Sequence, residues 1–173
     1  MGPVMIDPGH GGRDPGAVAS GLREKQLNLE IALALAGVLA GLKTDALLTR
    51  ENDLGLSLKQ RCEIADNSRA ALFLSIHCNA SENPQARGIE LFHDPGSARG
   101  QRLAESLHRE LLRFGRRDRG VKPAAFFVLK HTSMPACLVE CGFISNPGEA
   151  AWLKASASAI AQALADGIKA FPA

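Results

Sequence analysis

Ala71-Leu72-Phe73-Leu74-Ser75-Ile76-His77 is the stretch whose reading decides the fold. Its first six residues are apolar except for Ser75, and the polar pair Cys78-Asn79 follows directly. A short, nearly continuous apolar run reads as a central strand covered on both faces, as in parallel sheets. Further strand-like runs lie at Val4–Asp7, Ala46–Thr49, Gly88–His93, Phe126–Lys130 and Cys137–Glu140. Helical patterns occupy most of the intervals. Leu27, Ile31, Leu35, Val38 and Leu42 recur at spacings of three and four, which makes one apolar stripe. Ser57 with Gln60 predicts a capping box opening a helix that runs to about Ser68. Leu103, Leu107, Leu111 and Phe114 mark a third helix, Asn146-Pro147 the start of a short one, and Ile160, Leu164 and Ile168 the last. Strands alternating with helices predict an α/β fold: a single domain over residues 1–173, with a mostly parallel twisted sheet of about six strands and helices on both faces.

Bulk properties narrow the function classes. The 173 residues suit one core, 46% hydrophobic and 22% charged content is ordinary for a globular chain, and the formal net charge of +2 argues for no nucleic-acid partner. No apolar run reaches the roughly 18 residues that span a bilayer, so no membrane insertion is expected. No leader pattern precedes the first strand. Cys62, Cys78, Cys137 and Cys141 include no CxxC pair and read as four small buried thiols.

The chemistry concentrates at predicted strand ends. In open sheets of this type, ligands bind at the carboxyl ends of strands. His10 follows the first strand in Asp7-Pro8-Gly9-His10-Gly11-Gly12, His77 closes the central one, and Glu140 ends Ala136-Cys137-Leu138-Val139. Two histidines and a carboxylate are a common ligand set for a catalytic zinc ion, with a fourth position left for water. Glu24, fourteen residues after His10, is a candidate third ligand, although locally it reads more simply as a helix-start glutamate favoured by the macrodipole. Glu30, in mid-helix, is the weaker candidate. Glu140 among apolar neighbours is expected to be partly buried; desolvation would raise its pKa and suit it to proton transfer. The competing reading pairs Glu140 with Arg50 or Arg61. Cys78 is not expected to act with His77, because adjacent strand residues face opposite ways.

These residues sit in motifs that resemble the zinc-dependent N-acetylmuramoyl-L-alanine amidases of the amidase-3 type, found in bacterial cell-wall amidases and phage endolysins. Asp7 to Gly12 with Asp14-Pro15-Gly16-Ala17 is similar to the family's opening motif. Leu48-Thr49-Arg50 with Leu58 and Arg61, Ser75 to Ala80, Gly120-Val121-Lys122 with Phe127-Val128-Leu129, and Met134 to Asn146 follow in the family's order. Cys78 stands where the family more often has alanine. The resemblance implies one zinc ion bound by His10, Glu24 and His77, with Glu140 as the catalytic carboxylate and Asn79 as a substrate contact or strand cap. It also implies hydrolysis of the amide between N-acetylmuramic acid and L-alanine in peptidoglycan, by an enzyme acting in the periplasm or cell wall. The alternatives are a zinc carboxypeptidase on stem peptides and a non-catalytic wall-binding module. Some relatives carry an inserted helix that blocks the site until an activator binds. Ser81 to Arg87 is too short for one, so no activator protein is expected.

Overall fold

The computed structural model describes residues 2–172. A six-stranded sheet is ordered β4-β1-β5-β8-β6-β7, from strands β1 (Val4–Pro8), β4 (Ala46–Leu48), β5 (Leu72–Asn79), β6 (Ile89–His93), β7 (Asp118–Pro123) and β8 (Ala136–Phe143). A two-residue hairpin, β2 (Val18–Ala19) and β3 (Leu22–Arg23), stands apart and turns through Ser20 and Gly21 at positive φ. β1, β4, β5 and β8 run parallel, and β6 joins β8 antiparallel while pairing in parallel with β7. The mostly parallel α/β domain of the sequence reading is therefore the observed one.

The apolar β5 run is central because both of its faces are buried. One face, with Leu72, Leu74, Ile76 and Cys78, joins Val4, Ile6, Cys137, Val139 and Cys141 in the main core. That core is closed by α1 (Glu24–Gly41), α3 (Ala98–Leu111) and α6 (Ala157–Ala170), with α5 (Pro147–Ala155) contributing Leu153. The α1 stripe supplies Leu27, Ile31, Leu35 and Leu39. The opposite face holds a smaller cluster, Met5, Phe73, Ala136 and Leu138, under α2 (Leu58–Asn67) and α4 (Phe127–Lys130). The helices thus lie on both faces. The capping box forms as expected: Ser57 Oγ accepts from Gln60 N, and Gln60 Oε1 accepts from Ser57 N. The four thiols are buried and unbonded to one another among the described residues.

One strand assignment is corrected. Phe126–Lys130 is a single helical turn, with Lys130 N donating to Phe126 O and His131 N to Phe127 O. Phe126 and Phe127 face outward while Val128 and Leu129 are buried, a two-out, two-in order that suits a helix and not an alternating strand. The sixth strand is β7, which the sequence disguises with Gly120 and Pro123. Both residues are tolerated because β7 is a sheet edge.

Candidate metal centre

The site is built past the end of β1, near the end of β5, beside Glu140 within β8, and at the start of α1. Beyond Pro8 the chain leaves the sheet and turns through His10 at φ 61. Such a left-handed residue other than glycine costs of order 1–3 kcal/mol and persists only where its surroundings over-determine it. Here Arg61 donates to Pro8 O at 2.8 Å and to His10 O at 2.8 Å, while Arg50 donates to Pro8 O and Gly9 O, each at 2.9 Å. On the imidazole itself, Nδ1 meets Asp14 Oδ2 at 2.7 Å and Nε2 meets Glu24 Oε2 at 3.1 Å. A carboxylate on one ring nitrogen fixes which nitrogen faces the site, as outer partners of metal-bound histidines do.

Glu24 is the first residue of α1, yet its side chain turns inward and is buried. Its Oε1 meets His77 Nδ1 at 3.0 Å and accepts from Cys78 N at 3.2 Å, and its Oε2 accepts from Ala17 N at 2.9 Å. Burial works against the charged form, but hydrogen bonds with His10 and His77 outweigh it and hold the carboxyl well below the usual range. The bond to Glu24 in turn raises His10 above its ordinary pKa, against the opposing effect of its own burial. Two glycines make this approach possible. A Cβ on Gly9 would stand 2.2 Å from His77 Cε1, and one on Gly16, at φ +63, would stand 2.6 Å from Glu24 Oε2. Gly11 and Gly12, by contrast, pack against Leu54 and Gly55.

Glu140 is the register partner of His77 on β8 and lies on the same face of the sheet. Its Oε2 is buried and has no hydrogen-bond partner among the described residues. Burial pushes this carboxyl well above the ordinary range, and the charges of Glu24 and Glu90 push it further. The competing ion pair does not form: Arg61 binds Asp7 Oδ1 at 2.6 Å, a carboxylate also held by Thr49 and Ser75, while Arg50 donates to main-chain carbonyls. Asn79 is engaged within the protein. Its Nδ2 donates to Glu90 Oε1 at 2.6 Å and its Oδ1 accepts from Ala80 N. Glu90 also pairs with Lys122.

The structure therefore brings His10, Glu24 and His77 together, with their ligand atoms within 4.8 Å of one another. Glu140 stands beside them, and Asn79 lies two residues beyond His77. Glu30 is not part of this group. The three side chains fit a zinc ion by the chemistry of the donor set: two imidazole nitrogens and one buried carboxylate on rigid elements. A groove of about 440 Å³ opens beside them, lined by Asp7, His10, Ser75, His77 and Glu140 together with the apolar Leu58, Phe126 and Phe127. The orienting role of Asp14, four residues after His10, escaped sequence reasoning. So did the carbonyl contacts of Arg50 and Arg61, because an arginine's partners depend on the fold.

Comparison with known proteins shows what the chain and its fold are similar to. A family model described as N-acetylmuramoyl-L-alanine amidase, Amidase_3, matches residues 4–170. The chain is 43% identical over 169 residues to the N-acetylmuramoyl-L-alanine amidase LytC of Bacillus subtilis, covering 95% of this chain and 34% of LytC. It is 44% identical over 171 residues to the amidase CwlM of Bacillus licheniformis, covering 95% of this chain and 66% of CwlM. The chain thus spans about a third to two thirds of these relatives. Among solved structures, the catalytic domain of CwlV from Bacillus (Paenibacillus) polymyxa var. colistinus superposes with a TM-score of 0.92 at 37% identity, over 98% of this chain and 97% of that one.

Proposed function

The chain belongs to the Amidase_3 family of N-acetylmuramoyl-L-alanine amidases, and from that membership we propose that it is a zinc-dependent peptidoglycan amidase acting through His10, Glu24, His77 and Glu140. Its catalytic domain spans residues 1–173, its substrate is peptidoglycan, and it acts in the periplasm or cell wall. Among the described residues no helix is long and apolar enough to cross a membrane. The observation that carries the reading is the convergence of two imidazoles and a buried carboxylate beside the unpartnered carboxyl of Glu140, next to an open groove.

His10, Glu24 and His77 would hold the metal, whose chemistry is to activate a water at neutral pH and to polarise a carbonyl. Glu140 accepts the proton of the attacking water and returns it to the amide nitrogen as the carbon–nitrogen bond breaks. Its raised pKa suits it to both halves of that transfer. Water thereby adds hydroxyl to the lactyl carbonyl carbon and hydrogen to the nitrogen. The products are a lactyl carboxylate and a stem peptide with a free N-terminal alanine. Leu58, Phe126 and Phe127 give the bulky, amphipathic substrate an apolar flank to lie on. The short Ser81–Arg87 segment, which leads from β5 toward β6, leaves the groove open without an activator protein.

Digestion of purified wall tests the reaction. The amidase reading expects intact stem peptides with new N-terminal alanine and glycan carrying free lactyl groups. Release of single C-terminal residues would indicate a carboxypeptidase instead, and bound but uncut wall a module without catalysis.

A further inference from the structure

We propose that Arg50 and Arg61 are positioning residues for the metal loop: two guanidiniums hold the consecutive carbonyls of Pro8, Gly9 and His10 and so preset the His10 imidazole toward Glu24 and His77. The inference rests on the zinc reading of that site. As the chain leaves β1, these carbonyls leave the sheet ladder and need other donors. The guanidiniums supply a donor to each of the three, with Asn28 Nδ2 adding a longer bond of 3.3 Å to Gly9 O, and both arginines are buried.

Ion pairing does not explain the arrangement. Arg61 bonds Asp7, but it also reaches Pro8 O and His10 O. The bonds from Arg50 all end on carbonyl oxygens: Pro8, Gly9, Asn52 and Lys25. The contact with Lys25 O, at 2.9 Å, ties the His10 loop to the first turn of α1, which carries Glu24. One side chain thus fixes two ligand-bearing segments relative to each other. Lysine could keep the charge at either position but not the spread of donors in one plane.

The test compares zinc affinity, by competition with a chelating dye, and metal-free Tm for wild type, Arg50→Lys, Arg61→Lys and Thr49→Val. The last variant removes a buried hydrogen bond to Asp7 and leaves the carbonyl contacts in place. Each arginine variant is expected to weaken zinc binding about 10–100-fold, while Thr49→Val lowers Tm with unchanged affinity. Unchanged affinity in both arginine variants, or weakening in Thr49→Val that scales with its loss of Tm, would overturn the proposal. Amide exchange in the metal-free proteins supplies a second readout. Gly9 N, bonded to Ile76 O, and Gly11 N, bonded to Asp14 O, should exchange slowly in wild type and faster in Arg50→Lys and Arg61→Lys, and unchanged exchange in both variants contradicts a loop preset by the arginines. If wild type binds no zinc at all, the metal reading fails, whereas slow exchange would still show the loop to be held.

Discussion

A carboxyl group without a partner is the most consequential residue-scale feature of this chain. Glu140 keeps a buried oxygen free of hydrogen bonds while nearby Asp7 collects three donor side chains. In the proposed mechanism that free oxygen handles the proton. Glu140→Gln is therefore expected to lower kcat about 10²–10⁴-fold while zinc content stays at the wild-type level; wild-type turnover on purified wall would remove Glu140 from the chemistry. Glu24 and His10 make a second prediction, for the metal-free protein. The pKa of Glu24 is depressed on folding, so its contribution to stability is present above the unfolded value near 4.5 and fades as pH falls through the folded one. The pKa of His10 is raised, so its contribution is complete below 6.5 and fades as pH rises through the folded value. Both act together only in the interval between. The Tm gap between wild type and Glu24→Gln, measured in chelator, should be greatest between about pH 4.5 and 6.5 and narrow as pH rises beyond 6.5 through the raised His10 value. A gap that widens steadily with pH would contradict the pairing.

At the scale of elements, strand ends place the site and a helix start completes it. Parallel β1, β5 and β8 finish side by side, so residues distant in sequence emerge at one edge. The approach is close enough that Gly9→Ala would set a methyl 2.2 Å from the His77 ring. This variant is expected to weaken zinc binding about 10–100-fold through displacement of His77 or the loop; a folded Gly9→Ala with wild-type affinity would show that the ring has room to move. The short helix α4 and its N-cap residue present Phe127 and Phe126 to the groove, both roughly 40% exposed. If Phe127 flanks the substrate, an aromatic contact of about 1 kcal/mol corresponds to a roughly fivefold rise in KM for Phe127→Ala, with kcat nearly unchanged. An unchanged KM on purified wall would assign that face no part in binding.

For the whole molecule, a metal held by His10, Glu24 and His77 would tie folding to function. A ligand held only by the folded state stabilises it by about 4 kcal/mol at a thousandfold excess over Kd, which is roughly 8–16 °C in Tm for a chain of this size. A chelator should lower Tm by that order, and zinc should restore it. Most of this architecture is legible in the sequence because burial dictates it. The apolar run from Ala71 to Ile76 falls almost wholly in the covered strand β5, and the stripe on α1 and the Ser57–Gln60 box are local signals that tertiary contacts do not override. Phe126–Lys130 misleads because β-branched and aromatic residues also fill a single helical turn, and β7 hides behind a glycine and a proline that only an edge strand accepts. In the site, His10 and His77 are visible near strand ends. Glu140 is visible as a carboxylate in an apolar run, but it lies inside β8, which continues to Phe143 and does not end at Glu140 as the run suggests. Glu24 is not, since only folding turns a helix-start glutamate inward, and no local pattern tells Arg50 to seek carbonyls. The central claim is that one zinc ion sits among His10, Glu24 and His77 with Glu140 beside it. Anomalous diffraction at the zinc edge from crystals of the zinc-loaded protein tests it most directly. One strong peak per chain within bonding distance of those three side chains is expected, and a peak elsewhere, or none, would contradict a zinc ion at that site.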